Sequence, residues 1–271
     1  MTTAVPVALT IAGSDCSAGA GIQADLKTFQ HFQVHGLTAV TCLVSETARI
    51  VRAVHPVPVP VVRDQISLLL DSFPVSAAKT GMLFSTEIVL MVAEIFQNHP
   101  KIQLVIDPVM IATSGASLLD PEAVELYKTR LFPLARVITP NLPEAETLLG
   151  ERIMDEAAME SAAHRLSETF GTAVLLKGGH LQTPDCADLL VDKGELFRFT
   201  TARIPVSGSH GTGCSLSAAI TAALAQGESL PSAVENAKHY IGEILRQSYE
   251  FTSPDGGTIH ALNQGTCRQK S

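Results

Sequence analysis

Short uninterrupted runs of apolar and β-branched residues recur along the chain, at Val7 to Ala12, Thr38 to Val44, Leu104 to Ile106, Arg136 to Ile138 and Ala173 to Leu176. Each is too short for a helix and is bounded by Gly, Pro, Asn or Asp, so each reads as a strand. Apolarity without alternation marks strands covered on both faces. Helical periodicity occupies the intervals, at Gln65 to Phe73, Thr86 to Gln97, Pro121 to Phe132, Asp155 to Phe170, Cys214 to Ala225 and Pro231 to Tyr249. Alternating strands and helices predict an α/β fold with a mainly parallel sheet and right-handed crossovers. Asp188 to Phe199 reads instead as a hairpin turning at Lys193-Gly194, an antiparallel addition at the sheet edge.

With 271 residues, 46% of them hydrophobic, the chain can bury one large core. No repeat or linker divides it, which predicts a single domain over residues 1–252. The polar stretch 253–271 is expected to fray or lie along the surface. A net charge of -8 provides no basic field for a polyanion, so nucleic acid is not an expected partner. The longest apolar stretch, Leu216 to Ala225, is broken by Ser217 and Thr221 and falls short of the ~20 residues that span a bilayer. The N-terminal apolar run has no basic segment before it and leads into a Gly-rich loop, so it reads as a strand, not a signal peptide. Cys16, Cys42, Cys186, Cys214 and Cys267 show no C-x-x-C or zinc spacing and suit a reducing, cytoplasmic setting.

Ligands of open parallel sheets bind beyond the carboxyl ends of the strands. The first strand is followed by GSDCSAGAG and the second by Ser45-Glu46-Thr47; Lys79-Thr80-Gly81-Met82, Asp107-Pro108-Val109-Met110, Thr139-Pro140-Asn141 and Lys177-Gly178-Gly179 fill the other strand ends. The first loop contains G-x-G-x-x-A at Gly19, Gly21 and Ala24, a partial dinucleotide fingerprint. GSDCSA delays its first glycine, however, and Asp25 stands where pyrophosphate would lie. The second Gly-rich loop, GSHGTGCS, has Walker A spacing, but Cys214 occupies the position of the lysine. Gly211, Thr212 and Gly213 ahead of a helix still form an anion hole. That setting is expected to lower the Cys214 thiol pKa. A buried packing thiol and a nucleophile paired with His210 are the other readings of Cys214. Asn141 and Glu144 suit either hydrated Mg²⁺ and phosphate or a helix cap with a capping box. Asp107 is a candidate metal ligand, and Lys177 a candidate positive charge for a transferring phosphate.

Taken together, ALTIAGSD, GAGIQADLKTF, KTGML, DPVM, ITPNLPEA, LLKGGH and HGTGC, in order across residues 7–225, resemble the hydroxymethylpyrimidine/phosphomethylpyrimidine kinases of thiamin biosynthesis, a branch of the ribokinase-like superfamily. The resemblance implies a three-layer α/β/α sandwich, ATP and Mg²⁺, transfer of the γ-phosphoryl to a hydroxymethyl group, and a homodimer. It implies that Asp25 contacts the pyrimidine, with Gly13, Met82 and Val109 lining the pocket, and that Asn141, Glu144 and Lys177 organise phosphates and metal. Gly211, Thr212 and Gly213 become the anion hole, and Cys214 takes the place of a catalytic base. Related pyridoxal kinases use the same HGTGC-type loop, which makes pyridoxine-type vitamers the alternative substrate; a nicotinamide-dependent dehydrogenase and a non-catalytic relative are alternatives of other classes.

Three positions, in two loops, depart from the family pattern. The first loop has Cys16 and Ala18 where Pro and Gly are usual, which matters if residue 18 needs a positive φ. Glu46 replaces a Gln expected to pair with the pyrimidine, and an ionised carboxylate offers only acceptors.

Overall fold

Alternate side chains of one strand divide the interior in two. In the strand Ala173–Lys177, Val174 and Leu176 join the core on one sheet face, while Ala173 and Leu175 join the core on the other. That period of two in a wholly apolar run is what a strand covered on both sides requires. The computed structural model describes residues 5–110, 121–179, 185–205 and 210–265.

In chain order the strands are β1 Val7–Asp15, β2 His35–Thr47, β3 Ile50–Pro56, β4 Ala77–Thr80, β5 Gln103–Ile106, β6 Val137–Ile138, β7 Ala173–Lys177, β8 Asp185–Asp192 and β9 Glu195–Ala202, followed by β10 Tyr249–Thr252 and β11 Thr258–Ala261. The helices are α1 Gly21–His31, α2 Val59–Ser72, α3 Thr86–Gln97, α4 Pro121–Leu126, α5 Leu142–Leu149, α6 Glu156–Phe170, α7 Thr212–Ala225 and α8 Leu230–Arg246. The nine-stranded sheet has the order β3-β2-β1-β4-β5-β6-β7-β8-β9. Neighbours from β2 through β7 are parallel, and β3, β8 and β9 are antiparallel edge strands. Helices α2 to α6 cover one face and α1, α7 and α8 the other, so the fold is the expected three-layer ribokinase-like sandwich. Among the described residues no helix is long and apolar enough to cross a membrane.

The predicted hairpin is present as β8–β9. Lys193 and Gly194 both have positive φ, 52° and 84°, as a two-residue turn matched to strand twist needs. Other expectations shift. Strand β2 runs on through Ser45, Glu46 and Thr47, so these residues pair with β3 instead of following the strand. Helix α2 begins at Val59, with Pro60 in the first turn, where a missing N–H costs nothing. The expected helix Pro121 to Phe132 is helical only to Leu126, then widens into a π turn over Tyr127–Leu131 and tightens at Phe132–Leu134. Pro133, which cannot donate, stands at that last step.

The largest correction concerns the C-terminal stretch. Strands β10 and β11 form a second, two-stranded sheet, and beyond it Leu262 and Gln264 are buried. Residues 266–271 of the expected tail lie outside the described part.

Candidate active site

Chain order reverses at β1, which lies between β2 and β4, so the crevice beyond the carboxyl ends of β1 and β4 is the topological switch point. Asp15, the last residue of β1, is 1% exposed there. Its Oδ1 accepts from the Ser17 N–H and hydroxyl, both at 2.7 Å, and its Oδ2 from the N–H groups of Gly19 at 3.1 Å and Ala20 at 2.8 Å. The amides that a dinucleotide fingerprint would turn toward pyrophosphate are thus donated to a carboxylate of the protein itself. The first Gly-rich loop is therefore a cage around Asp15, not a dinucleotide site.

The second loop is tied to the same carboxylate. His210 Nε2 lies 3.1 Å from Asp15 Oδ2, so the imidazole is directed to Asp15 and not, as one reading of the sequence had it, to Cys214. Burial alone would raise the Asp15 pKa, but His210, Ser17 and the loop amides bring it down to about 2. The hydrogen bond that His210 donates to Asp15 raises the His210 pKa, against its own desolvation. Gly211 has φ +84° and is the N-cap of α7. A Cβ on Gly211 would stand 1.9 Å from the Gly19 carbonyl oxygen, so glycine there satisfies both the backbone angle and the contact between the loops. Gly211, Thr212 and Gly213 thus open α7 as the sequence predicts.

Cys214 lies in the first turn of α7 but does not have the lowered pKa expected of it. Burial pushes its thiol up to about 11, outweighing Lys79 and the Gly21 N–H, which both favour the thiolate. Desolvation defeats the helix-end effect here. Asp25 departs from its expected place as well. It is 0% exposed, and its Oδ2 accepts from Thr10 Oγ1 at 2.6 Å and Lys79 Nζ at 3.0 Å. The Asp25–Lys79 pair is sealed under the site and acts on Cys214 through its field; it is not part of a pocket wall. Burial works against the Lys79 ammonium, but Asp25, Cys214 and Asp107 together hold its pKa above the usual lysine value.

Lys177 is drawn into the site and largely buried. Its Nζ lies 3.0 Å from Asp107 Oδ1, and the side chain is 15% exposed. Thr139 Oγ1 also donates to Asp107 Oδ1 at 3.2 Å, and Ser217 Oγ to Oδ2 at 3.4 Å. A Cβ on Gly213 would be 3.4 Å from Lys177 Nζ and 3.7 Å from Asp107 Oδ2, which places this ion pair against the head of α7. Asn141 and Glu144 form a full capping box: Asn141 Oδ1 accepts from the Glu144 N–H and Glu144 Oε2 from the Asn141 N–H, each at 2.8 Å. The capping reading is therefore realised, yet the residues remain at the site, because Asn141 bridges in parallel to Lys177. Burial and the nearby Asp107 raise the Glu144 pKa to about 7, opposed by Lys177 and by the N–H groups of Asn141 and Met110.

Gly13 is buried and has no room for a side chain, since a Cβ would meet Cys42 Sγ at 2.8 Å. Met82 and Val109 are partly exposed just beyond β4 and β5. Glu46, on the rim, has its pKa raised by burial and by Asp15, with His210 opposing. Its carboxylate, that of Asp15 and the His210 ring bring one ligand atom each within 4.8 Å of one another. Sequence reasoning did not single out Asp15, Lys79 or Gln264. The first two stood in strings at strand ends, GSD and KTGM, where the fold collects chemistry; Gln264 had no signal.

The family model for phosphomethylpyrimidine kinase matches residues 15–258. The thiamine biosynthesis bifunctional protein ThiED of Geobacter sulfurreducens is 44% identical over 254 residues, 94% of this chain; the chain spans only 52% of that longer protein. The hydroxymethylpyrimidine/phosphomethylpyrimidine kinase of Haemophilus influenzae is 42% identical over 93% of this chain and 95% of its own length. Among solved structures, the pyridoxal kinase from Staphylococcus aureus in complex with AMP-PCP and pyridoxal superposes with a TM-score of 0.88 at 34% identity, covering 99% of this chain and 97% of that one. The kinase names of these relatives support a phosphotransferase over the dehydrogenase and the non-catalytic alternatives. The chain belongs to the phosphomethylpyrimidine kinase family of thiamine biosynthesis.

Proposed function

We propose that this kinase transfers the γ-phosphoryl group of ATP to the hydroxymethyl group of 4-amino-5-hydroxymethyl-2-methylpyrimidine and then phosphorylates the resulting monophosphate. The observation that carries this reading is the Lys177–Asp107 pair, 3.0 Å apart, set against Gly213 at the N-terminus of α7. Gly211, Thr212 and Gly213 at the N-terminus of α7 form the anion hole, and Lys177 adds a charge fixed in place by Asp107. Phosphoryl transfer asks for little more than such positioning and charge stabilisation. Cys214 stands at the hole as the proton acceptor for the substrate hydroxyl in its thiolate form, which Lys79 and the Gly21 N–H favour against burial and which becomes the neutral thiol on taking the proton.

Asp107 and Glu144 are the residues that would hold Mg²⁺. Both are carboxylates of 3% exposure, hard oxygen donors of the kind that cation takes, and each is near Lys177. The ion would supply charge neutralisation on the phosphates. Gly13, Glu46, Met82 and Val109 face the ring side, and Asn141 the phosphate side. We place the protein in the cytoplasm, in keeping with free thiols at Cys16, Cys42, Cys186 and Cys214. We further propose a homodimer, supported by the exposed apolar side chains Leu43, Ile50, Val51 and Val61 around the β3 edge.

A pyridoxal-type vitamer is the second reading, favoured by the carboxylate at Glu46, which accepts from a phenolic hydroxyl as readily as from an amine. ATP consumption measured against hydroxymethylpyrimidine, its monophosphate, pyridoxine, pyridoxal and pyridoxamine decides between them. Higher kcat/KM for both pyrimidines is expected; a preference for the vitamers overturns the first reading.

A further inference from the structure

Gln264 comes shortly after β11, and its side chain lies between the two glycine-rich loops. The residue is 1% exposed. Its Nε2 donates to the Gly19 carbonyl at 3.0 Å and to Ser215 Oγ at 3.4 Å, so both amide hydrogens are used, one on each loop. Its Oε1 accepts from Lys27 Nζ at 3.5 Å, and the same ammonium donates to the Ala18 carbonyl at 2.7 Å. Its own carbonyl accepts from the Tyr240 hydroxyl at 3.0 Å, which anchors it to α8.

The two groups that Gln264 holds are not arbitrary. The Gly19 carbonyl is the atom against which the missing side chain of Gly211 leaves room, at 1.9 Å, and Gly211 caps α7. Ser215 follows Cys214 directly in the first turn of that helix. We propose that Gln264 is a positioning residue for phosphoryl transfer, a clamp that sets the spacing between the first loop and the anion hole at the head of α7. It touches no reacting atom and acts through Gly19 and Ser215. Donors aimed at developing charge stabilise it only if they are fixed beforehand, so a loosened clamp costs rate more than binding. An apolar side chain of equal volume would fill the space but bridge neither group.

The inference rests on the kinase activity, and its test uses whichever acceptor the wild-type chain phosphorylates, so a change of substrate class leaves it intact. Gln264→Met in the full chain keeps the volume and removes both donors. Active sites are counted by titration with AMP-PCP, and kcat is expressed per site. The expected result is a loss of about fivefold or more in kcat per site, with KM for the acceptor within about threefold, the scale of losing well-formed hydrogen bonds. A residue that only supports the fold would lower Tm and the number of sites while leaving kcat per site near the wild-type value; that result, or any loss below about fivefold, overturns the proposal. If the Met variant does not fold, Ser215→Ala decides, since it removes only the bond on the α7 side. A fall of about twofold or more in kcat per site then supports the clamp, and a smaller one overturns it.

Discussion

His210 Nε2 and Asp15 Oδ2, 195 positions apart in the chain, meet at 3.1 Å and join the two glycine-rich loops through one charge-assisted hydrogen bond. Asp15 also takes the backbone donors of the first loop, so the loop keeps its shape around a charge that the second loop shares.

The pH dependence of stability follows from that pair. The folded-state pKa of His210 is raised above its ordinary 6.5, chiefly by the bond to Asp15. Its contribution is therefore fully present below about pH 6.5 and is lost as pH rises through the folded value. Asp15 is depressed from 3.8 to about 2, so its contribution is present above pH 3.8 and is lost as pH falls toward 2. Thermal unfolding should show Tm falling as pH rises above about 6.5 in the wild type, and a flatter profile there in His210→Gln. Parallel profiles would remove the pair as the cause.

For Cys214, a thiol pushed up to about 11 is protonated at neutral pH. Mild alkylation should therefore label exposed Cys16 before Cys214, the reverse of what a helix-end thiolate would give. Cys214→Ala should still lower kcat by about 10²-fold, the scale of losing a general base, and leave ATP affinity nearly unchanged, because the backbone donors remain. A variant with normal kcat would leave the anion hole as the catalytic element.

Glu144→Gln separates cap from metal site. A neutral amide binds a hard cation more weakly than a carboxylate, so the Mg²⁺ concentration for half-maximal rate should rise severalfold. The amide can still accept the Asn141 N–H, and stability should change by about 1 kcal/mol or less. A fall in Tm with unchanged Mg²⁺ dependence would assign Glu144 to the cap alone.

Glu46 is held toward its neutral form by burial and by Asp15. Protonated, it can donate to a ring nitrogen; ionised, it cannot. Pyrimidine phosphorylation should improve as pH falls, and Glu46→Gln should raise kcat/KM for hydroxymethylpyrimidine by ~1–3 kcal/mol of repaired polar contact while flattening that rise. Unchanged turnover and the same pH profile would show that Glu46 does not meet the ring.

Ala18 occupies the left-handed region at φ 59°, a conformation that costs a non-glycine residue about 1–2 kcal/mol. Ala18→Gly removes that strain but frees the unfolded chain, leaving a net gain of about 0.5–1 kcal/mol. Calorimetry should record a Tm higher by about 1–4 °C. A lower Tm would mean that the entropy gained by the unfolded chain outweighs the strain relieved.

The sequence by itself determined the layered α/β architecture, because doubly covered strands need continuous apolar runs and their helical connections need a period near 3.6. It also located the glycine-rich loops, the hairpin turn at Lys193-Gly194, and the strand-end residues Asp107, Asn141, Glu144 and Lys177, whose roles depend on local spacing and element ends. Strand β3 escaped it, because Ile50–Pro56 is an exposed edge with no buried face to pattern, and of β4 only the end at Lys79-Thr80 was legible, because Ala77–Thr80 is short, with small residues and a lysine. Only the tertiary structure decided the electrostatics. A helix end argues for a Cys214 thiolate, but desolvation by distant segments reverses the sign, and no local string reveals how deeply a residue will be buried. The same holds for Asp25, which packing seals against Lys79, for Asp15 and His210, brought together across 195 positions, and for Gln264, carried between the loops by a C-terminal hairpin whose polar sequence looks like a surface tail.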